Sequence, residues 1–216
     1  MLIWYCIIEI NFFVGFVATN LTIDVRIPNE TALVPVMSVF GWIMIQQRHG
    51  YTFDWNLPWA DYKAGFGSTD ADYWFGLEKI HLLTSSQPYR LRVEVQHRST
   101  NLWYSAEYWS FKLGDELNDK YRLEVAGYSG DAGNSLQWEG DRNGNGNFFV
   151  YHQNFEYFST YDRDNDQKRR GKCASMHQGG WWFNQCFTAC LTCKKSSFAW
   201  YTIGRVVNSR MMIKPQ

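Results

Sequence analysis

The chain has 216 residues, of which 45% are hydrophobic and 19% are charged, so a packed core is feasible and wholesale disorder is excluded. Its 21 basic residues balance 21 acidic residues, and this zero net charge excludes a polybasic nucleic-acid-binding protein. No uncharged apolar run reaches about 18 residues, so no membrane-spanning helix is predicted. The unusual feature is the aromatic content of 18%.

The first 19 residues are mostly apolar, but they include Glu9 and Asn11 and lack a basic start. They form an imperfect secretory signal peptide, and the same apolar run would also suit a buried strand. We therefore treat residues 1–39 as a leader with an atypical N-terminal segment. Asn20 and Asn29 each begin an Asn-x-Thr glycosylation sequon, which requires an exposed position in the secretory pathway.

The remaining pattern predicts an α+β domain with an irregular, mainly antiparallel sheet and short helices. A helix is predicted from Asp54 to Lys63, with Asp54 as its N-cap and Gly65 beyond its end. Alternation of apolar and polar residues predicts a strand at 89–96. Two further strands are predicted at 104–113 and 121–125, with a turn over 114–120 between them. Gly, Asp, Asn and Ser dominate residues 127–147, which predicts a loop. Because no repeat or heptad run is present, residues 40–216 are predicted to form one domain.

The acidic loop, defined here as residues 158–166, carries three aspartates at alternating positions. This spacing collects the hard oxygen ligands that Ca²⁺ prefers. An EF-hand is excluded because the positions that need Gly and a bidentate Glu hold Gln167 and Cys173. A calcium site and a solvated turn whose aspartates cap their own backbone both stay open. The basic residues that follow directly could pair with the aspartates and weaken metal binding.

Four of the five cysteines lie within 21 residues: Cys173, Cys186, Cys190 and Cys193. A clustered, even set indicates an oxidising compartment. Cys190 and Cys193 form a C-x-x-C pair that permits a local or intermolecular disulfide, redox chemistry, or a zinc site with Cys186 and His177. No βαβ pattern surrounds the pair, which argues against redox chemistry, and a disulfide is the simplest interpretation.

Several motifs occur in a fixed order along the chain. They include Gly-Trp-Ile-Met-Ile-Gln-Gln-Arg at 41–48, Trp-Ala-Asp-Tyr-Lys-Ala-Gly-Phe-Gly at 59–67, Tyr-Trp-Phe-Gly at 73–76, and Gly-Gly-Trp-Trp-Phe-Asn-Gln-Cys at 179–186. Together they resemble the fibrinogen C-terminal (fibrinogen-related) domain family, over roughly residues 40–215. The resemblance implies a secreted, extracellular, non-enzymatic recognition domain.

The resemblance also implies a calcium site in the acidic loop. Its ligands would be the carboxylates of Asp164 and Asp166, together with backbone carbonyls near Lys168 and Arg170. With Ca²⁺ as the expected cofactor, the site would bind the ion weakly because only two carboxylates contribute.

A disulfide between Cys173 and Cys186 is implied as well, with a pocket for an acetyl group beside it in lectin-type members. In those members a cis peptide bond precedes the second cysteine, here Gln185–Cys186, and the amides that follow help to bind the acetyl group. Phe187 would supply a second amide here.

The chain departs from the lectin pattern at the wall of this pocket. Phe187 stands where lectin-type members usually have a His, and His177 stands where they have an aromatic residue. A deletion after Cys193 removes part of the rim and leaves Trp200 as the next candidate for apolar cover.

Three functions stay open on this basis. The first is a lectin-like module that binds calcium and acetylated glycans in innate pattern recognition. The second is a growth-factor or matrix type of module that binds a protein ligand, and the third is a degenerate domain without a ligand. The expected partners are glycans or cell-surface proteins, and a homo-oligomer is compatible with the sequence. No enzyme is predicted, because no nucleophile stands beside a base.

Overall fold

A computed structural model of the protein describes residues 21–137 and 152–216. The predicted signal segment, the sequon residue Asn20 and positions 138–147 of the predicted loop lie outside the described residues.

The described residues form short helices and many strands. The helices are α1 (Trp59–Ala64), α2 (Leu77–Ser86), α3 (Glu116–Asp119) and α4 (Cys173–His177). The strands are β1 (Leu21–Arg26), β2 (Leu33–Val39), β3 (Trp42–His49), β4 (Phe66–Gly67), β5 (Tyr73–Trp74), β6 (Tyr89–His97), β7 (Trp103–Leu113), β8 (Leu123–Gly130), β9 (Phe158–Ser159), β10 (Trp181–Trp182), β11 (Ala189–Cys190), β12 (Ala199–Trp200) and β13 (Gly204–Pro215).

The main sheet has the strand order β1-β2-β3-β13-β6-β7-β8, and each neighbouring pair is antiparallel. The C-terminal strand β13 lies between β3 and β6, so ladder hydrogen bonds join the two ends of the domain. The short strands β4 and β5 attach beside β3, and β11 and β12 attach beside β13, while β9 and β10 pair separately. The predicted mainly antiparallel α+β fold is confirmed.

The larger part of the core lies on one face of the main sheet, and a smaller cluster lies on the other face, formed by Met37, Val39, Met44 and Met212. In β6, residues 89, 91, 93 and 95 are buried and the charged residues between them are half-buried, as expected of a strand with one face in the core. Helix α2 packs against β7 and buries Leu77, Ile80 and Leu83. Burying these side chains removes apolar surface from water, which is the main favourable contribution to folding.

The predicted helix from Asp54 is shorter in the structure and begins at Trp59. The residue before a proline is disfavoured in the helical conformation, so Leu57 cannot belong to a helix that continues through Pro58. Asp54 caps its own turn instead, since its Oδ1 accepts the Asn56 N–H at 2.9 Å. Gly65 follows the helix as predicted, and its N–H donates to the carbonyl of Asp61.

The three predicted strands are present with shifted ends. Lys120 and Tyr121 both have positive φ angles, so β8 starts at Leu123 and not at Tyr121. It extends to Gly130, and the first four residues of the predicted loop therefore belong to a strand. The predicted turn over 114–120 contains α3, whose N-cap Asp115 accepts the Asn118 N–H at 2.8 Å.

Residues 21–39 extend the sheet. Strands β1 and β2 form a hairpin whose second strand pairs with β3. Asn29 lies in the connection, is exposed and has a positive φ of 69°, so the predicted sequon stands at an accessible turn. Its glycosylation stays a prediction.

Candidate functional site

The predicted site residues rest on a buried aromatic cluster that joins α1 to the Gly-Gly-Trp-Trp motif. The Tyr62 hydroxyl donates to the Trp55 carbonyl at 2.8 Å and accepts the Gly180 N–H at 2.9 Å. A side chain at Gly180 would clash with the Tyr62 ring, because an added Cβ would lie 2.7 Å from it. Burial raises the pKa of Tyr62, so this hydroxyl stays protonated and keeps both hydrogen bonds.

The first aspartate of the acidic loop has a structural role. Asp162 Oδ1 accepts the backbone N–H of Trp59 at 3.0 Å and the Thr160 hydroxyl at 2.6 Å. The neighbouring Arg163 stacks on Trp59 at 3.9 Å and pairs with Glu116 at 3.0 Å. These contacts anchor one end of the loop to α1 and α3, and they engage Asp162 within the fold.

Asp164 and Asp166 lie next to each other at the other end of the acidic loop. The Asp166 N–H donates to Asp164 Oδ1 at 3.3 Å. The Asp166 carboxylate accepts the backbone N–H groups of Lys168 at 2.8 Å and Cys173 at 2.7 Å. Burial raises the pKa of Asp166, these two hydrogen bonds lower it, and the Asp164 carboxylate raises it again. A divalent cation would relieve the repulsion between the two carboxylates.

The donors expected at these two aspartates, carboxylate and backbone carbonyl oxygens, are of the type that calcium prefers. The backbone carbonyls of Lys168 and Arg170 accept no hydrogen bond in the described part of the chain, so they are available as ligands. Ion pairs between the following basic residues and the two aspartates, which the sequence suggested, do not occur in the described ranges. Within those ranges no cluster of three or more His, Cys, Asp or Glu side chains could hold a metal, so the site would have only two charged ligands.

Two disulfides hold the segment that follows. Cys173 pairs with Cys186, as the resemblance implied, and Cys190 pairs with Cys193. The local disulfide at the C-x-x-C pair leaves no free thiolate in residues 173–193, so the zinc interpretation with His177 is wrong.

The backbone near Cys186 keeps part of the predicted acetyl site. The N–H groups of Cys186 and Phe187 donate no hydrogen bond within the described residues, and both remain available to a ligand oxygen. Gln185 is exposed, and its N–H donates to Asn184 Oδ1 at 2.7 Å. The expected cis peptide before Cys186 is absent, since the described residues contain only trans peptide bonds.

The side chains predicted to line that site are engaged within the fold. His177 contacts the Ser197 hydroxyl at 2.9 Å and the Phe187 ring at 4.8 Å in an edge-to-face arrangement. Burial lowers the pKa of His177, and the nearby Lys194 and Lys168 lower it further. Trp200 is fully buried, and its indole N–H donates to the carbonyls of Ala132 and Gly133. Trp200 therefore offers no surface to a ligand.

A different concavity, which sequence reasoning missed, opens beside the C-terminal end of α4. This cationic cleft has a volume of about 240 Å³ and includes among its lining residues Arg48, Tyr51, Phe53, Asp54, Lys194 and Lys195. None of the five residues predicted for the acetyl site lines it. The only feature of the sequence that points to this cleft is the Lys-Lys pair directly after the C-x-x-C motif. Because Arg48 is far from this pair along the chain, the sequence alone could not show that they line the same cleft.

Arg48 forms the floor of the cationic cleft. Its Nε donates to the Gly50 carbonyl at 3.1 Å, and its Nη1 donates to the carbonyls of Leu191 and Cys193. The guanidinium lies between the rings of Phe198, at 4.1 Å, and Trp55, at 5.6 Å. Burial lowers the pKa of Arg48 to about 10, so it remains charged at neutral pH.

The helices among the described residues are all too short or too polar to cross a membrane.

Comparison with known proteins agrees with this geometry. The profile of the family described as "Fibrinogen beta and gamma chains, C-terminal globular domain" matches residues 37–208. Bovine fibrinogen-like protein 1 is 41% identical over 152 residues, which are 69% of this chain and 47% of that protein. Bovine angiopoietin-related protein 7 is 44% identical over 146 residues, which are 68% of this chain and 38% of that protein. The chain thus spans less than half the length of these curated relatives.

Solved structures of fibrinogen-like domains superpose closely on this chain. The fibrinogen-like globe domain of human ANGPTL2 superposes with a TM-score of 0.78 and 30% identity, covering 92% of this chain and 93% of that chain. Lamprey fibrin D-dimer, complexed with the peptide Gly-His-Arg-Pro-amide, superposes with a TM-score of 0.76 and 30% identity, covering 86% of this chain and 66% of that chain. The chain therefore belongs to the family of fibrinogen C-terminal globular domains.

Proposed function

We propose that this domain is an extracellular, non-enzymatic module that recognises a protein ligand, in the manner of the growth-factor or matrix members of its family. The observation that carries the proposal is the cationic cleft, which combines aromatic walls with a charged floor. It shares no lining residue with the predicted acetyl site, and it adjoins His177 through Gln178 and Lys194. Pockets of mixed apolar and charged lining are the usual form of a specific binding site.

The relatives support a protein ligand over a sugar. The lamprey fibrin neighbour was solved with a bound peptide. The side chains predicted to line an acetyl site near Cys186 instead make contacts within the fold. Trp200, for example, is fully buried.

We also propose that calcium supports the recognition surface. Asp164 and Asp166, with the carbonyls of Lys168 and Arg170, would hold the ion. It would neutralise the two adjacent carboxylates and fix the acidic loop, whose Asp166 already binds the start of α4 through the Cys173 N–H.

Binding of the tagged domain to cultured cells tests the proposed function. We expect saturable binding that trypsin treatment of the cells removes and that enzymatic removal of their glycans leaves in place. Binding that survives trypsin and disappears with the glycans would refute a protein ligand.

A second candidate function, recognition of an acetyl group, rests on the N–H groups of Cys186 and Phe187, which find no acceptor among the described residues. They could donate to an acetyl carbonyl. Titration with N-acetylglucosamine and with glucosamine separates this candidate, because only an acetyl site distinguishes the two sugars. Equal responses to both would exclude it.

A further inference from the structure

We infer that the cationic cleft accepts an acidic side chain from the protein ligand, so that the partner presents an Asp- or Glu-rich segment to this face. The inference rests on the proposed function and adds the chemistry of the ligand to it.

The charge of the lining is the first argument. Arg48, Lys194 and Lys195 contribute three positive charges, and Asp54 contributes one negative charge. Neither lysine forms an ion pair in the described ranges, and Arg48 has no carboxylate within ion-pair distance there. Asp54 already accepts a hydrogen bond from its own turn. The lining therefore carries a net positive charge, which the buried Asp72 carboxylate outside the lining offsets only in part, by attraction to Arg48 beyond ion-pair distance.

The burial of Arg48 is the second argument. Its side chain belongs to a residue that is only 3% exposed, and buried charges are normally paired because removing a charge from water is costly. Three carbonyl oxygens satisfy Nε and Nη1, while Nη2 has no hydrogen-bond partner within residues 21–137 and 152–216. An incoming carboxylate would supply an acceptor for Nη2 and a negative charge within ion-pair distance of the guanidinium.

The walls of the cleft are the third argument. The Tyr51 ring is flanked by the Lys195 ammonium at 4.8 Å and by the Arg98 guanidinium at 5.7 Å. Arg98 is not a lining residue and lies beside the cleft. Phe53 stacks on Phe66 at 5.6 Å, so the aromatic wall is held in place. A volume of about 240 Å³ fits one side chain and its neighbouring backbone better than a folded surface. The expected ligand is thus a short acidic segment that packs its aliphatic part on Tyr51 and Phe53.

Calorimetry with a synthetic tetraglutamate peptide tests the inference, with tetraglutamine as the neutral probe. We expect saturable binding of tetraglutamate only, and weaker binding when the salt concentration rises from about 0.05 M to about 0.5 M, because salt screens the charges. Lys194→Gln combined with Lys195→Gln should weaken binding by at least about 2-fold, since each exposed charge pair changes an equilibrium constant by roughly 1.4- to 5-fold.

Two further variants sharpen the test. Asp54→Asn removes the opposing charge, retains the oxygen that caps the turn, and should strengthen tetraglutamate binding. Lys112→Gln removes an exposed lysine on β7 outside the cleft lining and should leave it unchanged. The inference would be overturned if both peptides bound equally, if neither bound saturably, or if the double lysine variant bound tetraglutamate as tightly as the wild type. Binding of a heparin-derived sulfated disaccharide in place of tetraglutamate would overturn it in favour of an anionic sugar.

The same double lysine variant separates this inference from the proposed function. If wild-type domain binds trypsin-sensitive sites on cells and the double lysine variant binds them equally well, the acidic-segment inference fails and the proposed function stands. If the wild type binds no trypsin-sensitive site, the proposed function fails whatever the tetraglutamate result.

Discussion

Replacing Asp164 by asparagine separates the calcium role of the acidic loop from its structural role. Asp166 accepts two backbone N–H groups, so changing it would damage the fold directly. Asp164 is exposed, and within the described part of the chain its carboxylate accepts one backbone N–H, that of Asp166, at the long distance of 3.3 Å. Asp164→Asn therefore removes one of two charged ligands with little structural cost.

The size of the effect follows from mass action. A site with two carboxylates should have a dissociation constant on the order of 0.1 to 1 mM, as in extracellular calcium modules. At about 2 mM calcium, binding then stabilises the wild-type domain by about 0.6 to 1.8 kcal/mol. For a chain of this length that corresponds to a rise in Tm of roughly 1 to 7 °C.

Thermal unfolding with calcium and with chelator measures both consequences. We expect Asp164→Asn to lose the rise in Tm caused by calcium. In chelator it should be at least as stable as the wild type, because the repulsion between Asp164 and Asp166 is gone. Asp24→Asn, an exposed aspartate on β1, is the matched control and should keep the calcium response. A full calcium response in Asp164→Asn would show that the ion does not bind there.

Three further predictions concern the structure that supports the site. Tyr62→Phe should lower the free energy of unfolding by about 2 to 4 kcal/mol in a urea titration, because the Gly180 N–H and a buried carbonyl lose their partner, and an unchanged midpoint would contradict this. Replacing Cys173 and Cys186 by serine should cost about 3 kcal/mol on the loop-entropy model for a separation of 13 residues, and a loss well under 1 kcal/mol would argue against that role. The lowered pKa of His177 means that the unfolded chain binds its proton more tightly, so stability should fall as the pH drops from about 7.5 to about 5. His177→Gln should reduce that fall, and an identical pH profile would exclude the residue as its source.

Local features of the fold were predictable because they depend on neighbouring residues. The alternation in β6 gave its position to within one residue. The start of α1 was missed because the restriction that Pro58 places on Leu57 outweighed the capping preference of Asp54. Helix α2 was not predicted, although Leu77, Ile80 and Leu83 follow helical spacing.

The candidate site was only partly predictable, because its parts meet through long-range packing. The resemblance predicted the disulfide between Cys173 and Cys186, whose separation along the chain is short, and the structure confirms it. The assignment of Asp164 and Asp166 as calcium ligands stays a prediction. The resemblance could not show that Trp200 is buried, since that depends on the carbonyls of Ala132 and Gly133. The cationic cleft escaped detection for the same reason, because Arg48 reaches the Leu191 carbonyl across 143 positions of sequence.

Competition for the cell-bound domain tests the central claim most directly, namely that the cationic cleft recognises an acidic segment of a protein. The bound wild-type domain is challenged in parallel with tetraglutamate, tetraglutamine, N-acetylglucosamine and glucosamine. We predict that tetraglutamate alone displaces it, because only that probe offers carboxylates to Arg48, Lys194 and Lys195. Displacement by N-acetylglucosamine, with no effect of tetraglutamate, would contradict the claim and return the binding site to Cys186 and Phe187.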